Sequence, residues 1–415
     1  MIPIDEQPYP LPDGWQWVTL DSIAECLDNL RSPVNAAERA KRPGKIPYYG
    51  ATGQVGWIDD FLTDEQLVLL GEDGAPFRDM FKDKAYIIEG KAWINNHAHI
   101  LRSRFGSVGN KFLCYYLNAF DFSNHVNGTT RLKLTQSKMK KIPFPLTPLN
   151  EQQRIVSLLD ELFSKLDEAK ALAQAIVDGS ELRRAAILHK AFTGELTKLW
   201  REEHGITLDS WQRRTVASVC KGLIYGTSKK SKSSGKMIVL RMGNLQNGEI
   251  DWNDLAYSDD ERDIKKYLLS TGDVLFNRTN SAELVGKTSI YRGEYPAIYA
   301  GYLIKLDYDR DILNGEYLNY VLNSPNAKEY CNHVKTDGVN QSNINARKIG
   351  AYVIPLPPLN EQKEIVRLLD DLLGREQRTK ELALKTVERV ELVKKSILVR
   401  AFRGELGTNK NLREI

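Results

Sequence analysis

Apolar residues in the middle of the chain recur in alternating steps of four and three positions, which is the seam of a coiled coil. Asn150 suits the N-cap before this seam, and Gly194 is a natural C-terminal stop. The pattern predicts a helix of about 43 residues, a rod of roughly 65 Å, with Gly179 as its irregular position. The seam residues are Ile155, Leu159, Leu162, Leu166, Ala169, Ala173 and Ile176.

The phrase that opens this helix is written twice. PLTPLNEQQRIVSLLDEL at 145–162 and PLPPLNEQKEIVRLLDDL at 355–372 share 13 of 18 residues, and the match continues without a gap to AFTGEL at 191–196 and AFRGEL at 401–406. Prolines hold the start of each phrase extended, because proline disfavours helix at the residue before it. The sequence therefore predicts a second helix of the same kind, ending at Gly404.

The second seam is less regular than the first. It begins with Ile365, Leu369 and Leu372, and polar residues then interrupt it at Glu376, Thr379 and Thr386. An isolated amphipathic helix cannot bury its apolar stripe, so we predict that the two helices pack antiparallel against each other. The alternative is that each helix packs only on a globular core.

A globular segment precedes each helix, and the two segments begin alike with GWQWVTLDSI at 14–23 and SWQRRTVASV at 210–219. Strands are predicted at QLVLLGE and DVLFNR, and helices near FLCYYLN and EYLNYVLN. We predict an α+β fold with a pseudo-twofold internal repeat, in which two long helices of an antiparallel coiled coil join and separate two globular domains. The predicted divisions are 1–148 and 206–358 for the domains, and 149–205 and 359–415 for the helical regions.

Composition is that of a globular protein, with 42% apolar and 27% charged residues. No run approaches the roughly 18 apolar residues of a membrane helix, and the first residues lack a basic and apolar leader pattern. The four cysteines form no C-x-x-C pair, so neither a zinc site nor a disulfide framework is indicated. We expect a cytoplasmic protein with no membrane partner.

Positive charge is concentrated in two segments. Nine Lys or Arg and one acid lie between Gly90 and Asn150, and eight Lys or Arg with no acid lie between Ser210 and Gly248. Local positive fields are therefore expected, although the net charge is only +4.

Candidate catalytic motifs are weak. SAELVGKTS at 281–289 resembles the end of a phosphate-binding loop, but it lacks the first glycine and the following helix, so we interpret it as a turn before a strand. His97 and His99 are spaced to share one face of a strand. Without a nearby acidic or cysteine cluster in the sequence, a hydrogen-bonded or DNA-facing pair is favoured over a metal site. No N-P-P-[YF] methylation motif is present.

Two different globular segments on two similar rods resemble the specificity subunit of a type I restriction-modification system. The resemblance rests on the duplicated PLPPLNEQ phrase, the GATG, GEDG and NNHAH elements of the first domain, and the order domain, helix, domain, helix. It implies that each globular domain reads one half of an interrupted target in double-stranded DNA. It also implies that the helices space the domains and dock modification subunits, which methylate adenine.

The resemblance further implies that this chain is not an enzyme and holds no cofactor or metal. S-adenosylmethionine, ATP and Mg are then expected in the modification and restriction subunits. The predicted subunit-docking residues come from the repeated phrase and are Asn150, Glu151, Gln152, Asn360, Glu361 and Gln362. The alternatives are the recognition subunit of a related fused type II system and a coiled-coil scaffold that binds only proteins.

Candidate DNA contacts are basic and amide residues of the predicted loops. Lysines suit phosphates, and Arg, Asn and Gln suit base edges, although a solvated loop is the alternative for the lysine-rich GTSKKSKSSGK at 226–236. NGTTRLKLTQSK at 127–138 and DGVNQSNINARK at 337–348 align at the same 210-residue offset as the helices. The candidates are Thr52, Gln54, Arg78, His97, Thr129, Thr130, Arg131 and Lys133 in the first domain, and Lys229, Lys230, Lys232, Lys236, Arg241, Asn244, Gln246, Arg278, Asn280, Asn340 and Gln341 in the second.

Overall fold

The chain forms two compact units in a computed structural model that describes residues 2–339 and 341–406. Unit 1 comprises Met1–Ala175 and Ala383–Ile415, and unit 2 comprises Ile176–Leu382. Each unit contains one globular domain and parts of the long helices. Among the described residues, no helix has the length and apolar character needed to cross a bilayer.

Unit 1 is built from ten strands and four short or medium helices, followed by the first long helix. The strands are β1 Gln16–Thr19, β2 Ala24–Cys26, β3 Ile46–Gly50, β4 Gly53–Ile58, β5 Thr63–Asp64, β6 Leu67–Gly71, β7 Ala85–Ile88, β8 Lys91–Ile94, β9 Ala98–Ser103 and β10 Pro143–Leu146. The helices are α1 Leu20–Ile23, α2 Ala36–Arg39, α3 Gly106–Ala119, α4 Gln136–Lys140 and α5 Leu149–Asp178, with 3-10 turns at Ile4–Glu6 and Asp28–Leu30.

Unit 2 contains the remaining elements. Its helices are α6 Ser180–Phe192, α7 Lys198–Glu203, α8 Glu261–Tyr267, α9 Gly315–Leu322, α10 Pro325–Val334, α11 Ala346–Gly350 and the beginning of α12 Leu359–Phe402. Its strands are β11 Gln212–Thr215, β12 Cys220–Tyr225, β13 Met237–Leu240, β14 Leu245–Gln246, β15 Glu249–Ile250, β16 Ala256–Ser258, β17 Val274–Asn277, β18 Thr279–Asn280, β19 Thr288–Ile290, β20 Ala297–Tyr299, β21 Leu303–Tyr308, β22 Thr336–Asp337, β23 Ser342–Asn343 and β24 Val353–Leu356. The 3-10 turns are Leu208–Ser210, Val216–Val219 and Met242–Asn244.

The two domains share one sheet frame. A four-stranded antiparallel sheet has the order β2-β9-β6-β7 in unit 1 and β12-β21-β17-β19 in unit 2. A second sheet has the order β4-β3-β8-β5 in unit 1 and β16-β13-β20 in unit 2, and its pairs β3-β8 and β13-β20 are both parallel. The predicted strands and helices are confirmed at β6, β17, α3 and α9. The internal repeat thus extends from the helices to the topology of the domains.

The proline phrase forms a strand before each long helix. β10 pairs with β1 so that Leu146 lies opposite Gln16, and β24 pairs with β11 so that Leu356 lies opposite Gln212. Each pairing therefore joins the start of one globular segment to the copy of the repeated phrase that follows that segment. Proline is tolerated because two-stranded sheets have only edge strands.

Each long helix begins one residue before the predicted N-cap. α5 starts at Leu149, and the amide of Gln152 donates to the carbonyl of Pro148 at 3.0 Å. Asn150 therefore lies in the first turn, where its Oδ1 accepts from the amide of Glu151 at 3.0 Å. The predicted N-cap position was wrong, because the extended proline already provides the carbonyl that starts the helix. The predicted stop is confirmed at Gly194, whose φ is 84°.

Ion pairs show that the helices run antiparallel within each unit. In unit 1 Lys170 pairs with Glu391 at 2.6 Å, and Asp167 pairs with Lys394. In unit 2 Arg183 pairs with Glu376 at 2.8 Å, and Glu181 pairs with Lys380 at 3.4 Å. The partner number falls as the residue number rises, so the predicted antiparallel packing is confirmed.

The predicted seam is only partly buried. Ile155, Leu159 and Ala173 are buried, but Ala169 is exposed and Ile176 is 37% exposed. Each helix of a pair covers only a narrow stripe of its partner, so the predicted seam is not buried along its whole length. In unit 1, Phe163 lies beside the seam and packs against the apolar core. Glu376, which interrupts the second seam, is accommodated by its ion pair with Arg183.

The repeated AF-x-GEL ends lie against the domain cores. Phe402 packs against Phe112 and Tyr116 in unit 1, with ring centroids 5.1 and 5.2 Å apart. Phe192 packs against Tyr317 in unit 2 at 5.7 Å. Each core therefore receives the end of a long helical segment, which explains why both ends carry the same residues. Truncating such a buried Phe to Ala typically costs about 3–5 kcal/mol.

Candidate nucleic-acid interface

Three connections of unit 1 are joined by backbone hydrogen bonds. They are the segment 72–74 after β6, the turn 95–97 before β9, and the loop 127–134. The amide of Leu134 donates to the carbonyl of Glu72 at 2.8 Å, and the amide of Glu72 donates to the carbonyl of His97 at 2.7 Å. These bonds bring distant parts of the sequence to one surface.

Charged side chains on this surface are partly paired. Arg131 Nε lies 2.6 Å from Asp73 Oδ1, although the Arg131 side chain is 62% exposed. Lys133 Nζ lies 3.2 Å from Glu72 Oε1, and His97 Nδ1 lies 3.6 Å from Asp73. The predicted candidates Thr129, Thr130, Arg131, Lys133 and His97 are therefore brought together, with two acids among them.

The tip of the β3-β4 hairpin approaches the same surface. A Cβ added at Gly71 would lie 2.9 Å from the carbonyl oxygen of Ala51, which shows how closely the tip meets the segment after β6. Thr52 is exposed beside Ala51, and Gln54 is exposed and donates to the carbonyl of Gly56 at 3.1 Å. Arg78 is exposed in the segment that leads to β7.

His97 and His99 do not share a strand face, so that prediction was wrong. His97 lies in the turn before β9, whereas His99 lies inside β9 with no exposed surface. The fold also brings acids to His99 that are distant in sequence, since ligand atoms of Asp28, Glu72 and His99 lie within 4.8 Å of one another. Both ring nitrogens of His99 already have hydrogen-bond partners, at Asp28 Oδ2 and the Leu134 carbonyl, which favours a hydrogen-bonded network over a metal site.

The lysine-rich loop of unit 2 faces acids that follow it in the chain. Lys229 pairs with Asp260 at 2.5 Å and Lys232 with Asp259 at 2.9 Å. Lys236 lies 3.4 Å from an oxygen of Glu261. Hydrogen bonding to Lys232 is the main reason that the pKa of Asp259 is lowered. The acid-free stretch of sequence is therefore not an uncompensated positive surface in the fold.

Lys230 differs from its neighbours in the same loop. It is exposed, and among residues 2–339 and 341–406 it has no ion pair. Of the four predicted lysines, it is therefore the one most readily available to a phosphate.

Asn244 stabilises the fold and does not face solvent. It is 3% exposed, and its Nδ2 donates to the carbonyls of Asp251 and Asn253 at 2.9 and 3.0 Å. Its Oδ1 accepts from the amide of Arg241 at 2.8 Å. The predicted base contact by Asn244 was wrong because a bend in the chain uses all of its polar atoms. Arg241 itself lies 2.9 Å from the carboxylate of Asp254.

Arg278 lies at the centre of the remaining unit 2 candidates. Its guanidinium lies 5.0 Å from the centroid of the Tyr225 ring, and Nη1 donates to the carbonyl of Gly301 at 3.3 Å. Nε is buried and has no hydrogen-bond partner in the described chain. A cation held over an aromatic face is a preorganised donor for a planar acceptor such as guanine.

Other candidates of unit 2 lie on neighbouring strands. Asn280 of β18 lies opposite Ser342 of β23, and Gln341 is exposed next to that strand. Gln246 Oε1 accepts from Lys287 Nζ at 2.9 Å. Asn340 lies outside the described residues.

Sequence reasoning missed Tyr225 and Val339. Tyr225 is 39% exposed and supports Arg278, and Val339 is fully exposed in the segment between β22 and β23. An aromatic residue just before a lysine-rich loop was a usable signal for a stacking contact. By contrast, the interpretation of 281–289 as a turn before a strand is confirmed, since residues 282–286 form a turn and β19 begins at Thr288.

Several predicted docking residues are used inside the units. Glu361 is fully buried and accepts from Thr197 Oγ1, Arg201 Nη1 and Trp211 Nε1 at 2.7, 2.8 and 2.9 Å. Gln362 is also fully buried, and its Nε2 donates to the carbonyls of Ile312 and Pro357.

The first copy of the phrase is more open. Gln152 is 1% exposed and donates to the carbonyl of Thr147 at 3.0 Å, whereas Glu151 is partly exposed and pairs with Arg154 at 2.7 Å. Asn150 and Asn360 are exposed. Glu361, Gln362 and Gln152 are buried, so they could contact a partner subunit only if the structure around them opened. Only the exposed positions of the phrase suit subunit docking, and for those positions docking stays a prediction.

Comparison with known proteins identifies the family to which the sequence is similar. The model of the type I restriction modification DNA specificity domain matches residues 12–176 and again residues 209–388. The chain belongs to this family. The two matches contain the two domains that share one sheet frame, so the internal repeat is a repeat of the family's specificity domain.

Relatives with similar sequences include specificity subunits from two bacteria. A putative type I restriction enzyme specificity subunit of Haemophilus influenzae is 26% identical over 361 residues, which is 86% of each chain. The type I restriction enzyme EcoKI specificity subunit of Escherichia coli is 30% identical over 308 residues, covering 71% of this chain and 65% of that one.

Solved structures confirm the fold. The HsdS subunit from Thermoanaerobacter tengcongensis matches with a TM-score of 0.64 and 20% identity, covering 97% of this chain and all of that one. A chain from a structure concerned with assembly and conformational transition of the type I R-M system matches with a TM-score of 0.66 and 19% identity, covering 96% and 100%. The likeness extends over both units.

Proposed function

We propose that this chain is the DNA-recognition subunit of a type I restriction-modification complex and works on DNA in the cytoplasm. Each globular domain reads one half of a bipartite double-stranded target. The chain itself catalyses no reaction. S-adenosylmethionine, ATP and Mg serve the modification and restriction subunits with which it assembles. The observation that carries this proposal is one sheet frame used twice with different loops.

The differing loops occupy equivalent connections of the frame. The connection after β3 is the short tip 51–52 in unit 1, whereas the connection after β13 holds residues 241–255 with their own hairpin β14-β15 in unit 2. The connection after β6 begins with the acids Glu72 and Asp73, whereas that after β17 begins with Arg278. Different side chains at equivalent places suit two different half-site sequences.

Methylation mapping tests the proposal. Host DNA is sequenced with and without the gene for this chain, with the modification subunits present in both cases. When the gene is present, we expect methylated adenines in one interrupted sequence. This methylation should be absent from DNA of the host without the gene. Methylation that persists unchanged would contradict the proposal. If the purified chain alone transferred methyl groups, its non-catalytic role would be refuted.

Salt dependence separates this function from that of a protein-only scaffold. Phosphate contacts release counterions, so the affinity of the assembled complex for its target should fall steeply as salt rises. A scaffold that binds only through apolar helix faces would show no specific DNA binding at any salt concentration.

We further propose that exposed leucines of α5, α6 and α12 dock the modification subunits, one in each unit. Leu172 and Leu392 are 63% and 55% exposed in unit 1, and Leu182 and Leu382 are 76% and 64% exposed in unit 2. The four leucines form two pairs related by the 210-residue offset of the repeat. Leu172 corresponds to Leu382, and Leu182 corresponds to Leu392. Apolar surface repeated in this way suits two copies of one partner.

Substitutions on one pair test the docking proposal. Leu172→Glu with Leu392→Glu should remove one modification subunit from the complex, because burying a carboxylate without a partner is costly. Leu199→Glu is a matched control, since Leu199 is 73% exposed but lies on α7. Mass measurement of the assembled complex gives the result. Full assembly with the double variant would contradict this docking surface.

A further inference from the structure

His99 joins a core strand of unit 1 to the loop that carries candidate DNA contacts. Its side chain is fully buried on β9. Nε2 lies 2.9 Å from the carbonyl oxygen of Leu134, which ends the loop 127–134, and Nδ1 lies 2.7 Å from Asp28 Oδ2. A carbonyl and a carboxylate are acceptors, so each ring nitrogen must donate a proton. The geometry therefore corresponds to an imidazolium.

The carboxylate of Asp28 is surrounded by donors. Its Oδ1 accepts from the amide of Ile100 at 2.9 Å, and its Oδ2 accepts from Gln136 Nε2 at 3.2 Å. Burial alone would raise the pKa of Asp28, but the hydrogen bond and charge of His99, the Ile100 amide and Arg31 together lower it. The proton between the two side chains therefore belongs to His99.

Other charges balance this pair. Arg31 lies 3.2 Å from Asp28 and also pairs with Glu72, and Lys133 lies 3.2 Å from Glu72. His99 Nδ1 is 3.8 Å from Glu72. Four charged groups thus face His99 from the segment after β2, the segment after β6 and the loop 127–134. The ring of His99 therefore lies among two carboxylates and two cations that pair with one another.

We propose that His99 is a positioning residue for the half-site read by unit 1, an inference that rests on the proposed function. Its imidazolium holds the end of the loop 127–134, with Arg131 and Lys133, in the conformation that meets DNA. The ring needs both of its donors to join Asp28 to the Leu134 carbonyl. Loss of either hydrogen bond should therefore impair recognition of this half-site.

Unit 2 holds its corresponding strand differently. His99 lies opposite Leu70, the penultimate residue of β6, whereas Ile304 lies opposite Phe276, the penultimate residue of β17. Ile304 is fully buried and apolar. Recognition of the second half-site therefore lacks this contact, and a change at His99 should affect only the half-site read by unit 1.

The experiment uses the full chain assembled with its modification subunits. Affinity is measured for the complete target and for targets altered in one half-site. His99→Gln offers one donor nitrogen and one acceptor oxygen, so it cannot donate from two separate atoms to Asp28 and to the Leu134 carbonyl. Ile100→Val is the control, because Ile100 is a fully buried neighbour whose side chain is apolar. Loss of a charge-assisted hydrogen bond predicts roughly tenfold or greater weakening for His99→Gln at neutral pH.

The expected result is that His99→Gln loses discrimination at one half-site only. Equal loss at both half-sites, or the same loss with Ile100→Val, would overturn the positioning role. A wild-type complex that selects no bipartite sequence would instead overturn the proposed function. Nitrogen NMR of labelled histidine keeps the test independent of the variant's folding: two protonated ring nitrogens are expected for His99, and a neutral ring at neutral pH would overturn the inference.

Discussion

Glu361 and Glu151 occupy the same place in the two copies of the repeated phrase but have different environments. Glu361 is fully buried and pairs with Arg201, which is 9% exposed, as well as with Thr197 and Trp211. The carboxylate of Glu151 is 28% exposed, and among residues 2–339 and 341–406 its ion pair is with Arg154 on the next turn of the helix. The same substitution at both places therefore tests what burial contributes.

Glu361→Gln keeps the shape of the side chain and removes its charge. Breaking a buried ion pair by neutralising one partner costs about 3–5 kcal/mol, because the other charge stays buried without compensation. The amide of Gln has one acceptor oxygen, whereas the two carboxylate oxygens of Glu361 accept from three donors. At least one of these three donors therefore loses its acceptor. Glu151→Gln alters an exposed pair that contributes about 0–1 kcal/mol. We expect a difference of at least about 2 kcal/mol between the variants.

Thermal unfolding and hydrogen exchange measure the effect. For a unit of roughly 200 residues, 1 kcal/mol corresponds to about 2–4 °C in Tm, so Glu361→Gln should lower the transition of unit 2 by roughly 6–20 °C. Amides of unit 2 that exchange by global opening should exchange roughly a hundredfold faster or more. Amides of unit 1 should exchange at the wild-type rate in this variant.

Arg201→Met added to Glu361→Gln supplies the internal control. Once the carboxylate is neutral, removing the guanidinium also removes the uncompensated charge, so the two effects should be strongly non-additive. Equal and small shifts for Glu361→Gln and Glu151→Gln would refute the reasoning. Additive effects of the double variant would show that Arg201 and Glu361 do not act as a pair.

Three further results are expected. Lys230→Ala should reduce the salt slope of DNA affinity by about one, whereas Lys232→Ala, whose ammonium is already paired, should change it less. Lys84→Met should stabilise unit 1 at pH 7 by roughly 1–3 kcal/mol, because burial lowers the pKa of Lys84 to about 8 and so disfavours its charged form. The stability of the wild type should rise to that of the variant between about pH 8 and 10.4, where the unfolded chain loses its proton. Denaturation of both proteins at these two pH values measures the difference. A heptad inserted after Ala173, matched by one after Glu388, should lengthen the unread gap by about three base pairs while keeping both half-sites, as selection from a randomised library would show.

Local pattern was sufficient for the long helices, for α3 and α9, and for the two strands β6 and β17. The seam around Ile155 and Leu159 predicted α5, and the repeated phrase predicted its partner, because an amphipathic helix needs a surface on which to bury its stripe. The position of the helix start was less accurate, because the carbonyl of Pro148 takes the place expected for the Asn150 cap.

Charge patterns in the sequence were a poorer guide to the interface. Lys229 and Lys232 lie in a window without acids, yet their partners Asp260 and Asp259 are about 30 residues further along and meet them through the pairing of β13 with β16. A sequence window contains no information on such tertiary partners. Asn244 failed as a candidate for the same reason, because its burial depends on a bend that only the fold defines.

Repeated residues and differing residues of this chain have different tasks. The repeated ones form the proline strand, the helix start and the AF-x-GEL end, and changes such as Glu361→Gln should alter stability without changing the target. The loops around Arg278 and Arg131 share little sequence, because two readers of different half-sites need different side chains. His99 belongs to both sets: it lies on a strand of the shared frame, and its ring bonds the end of a reading loop. The corresponding strand position in unit 2 holds Ile304, so the frame need not hold both readers by the same chemistry, and a change at His99 should impair recognition of one half-site alone.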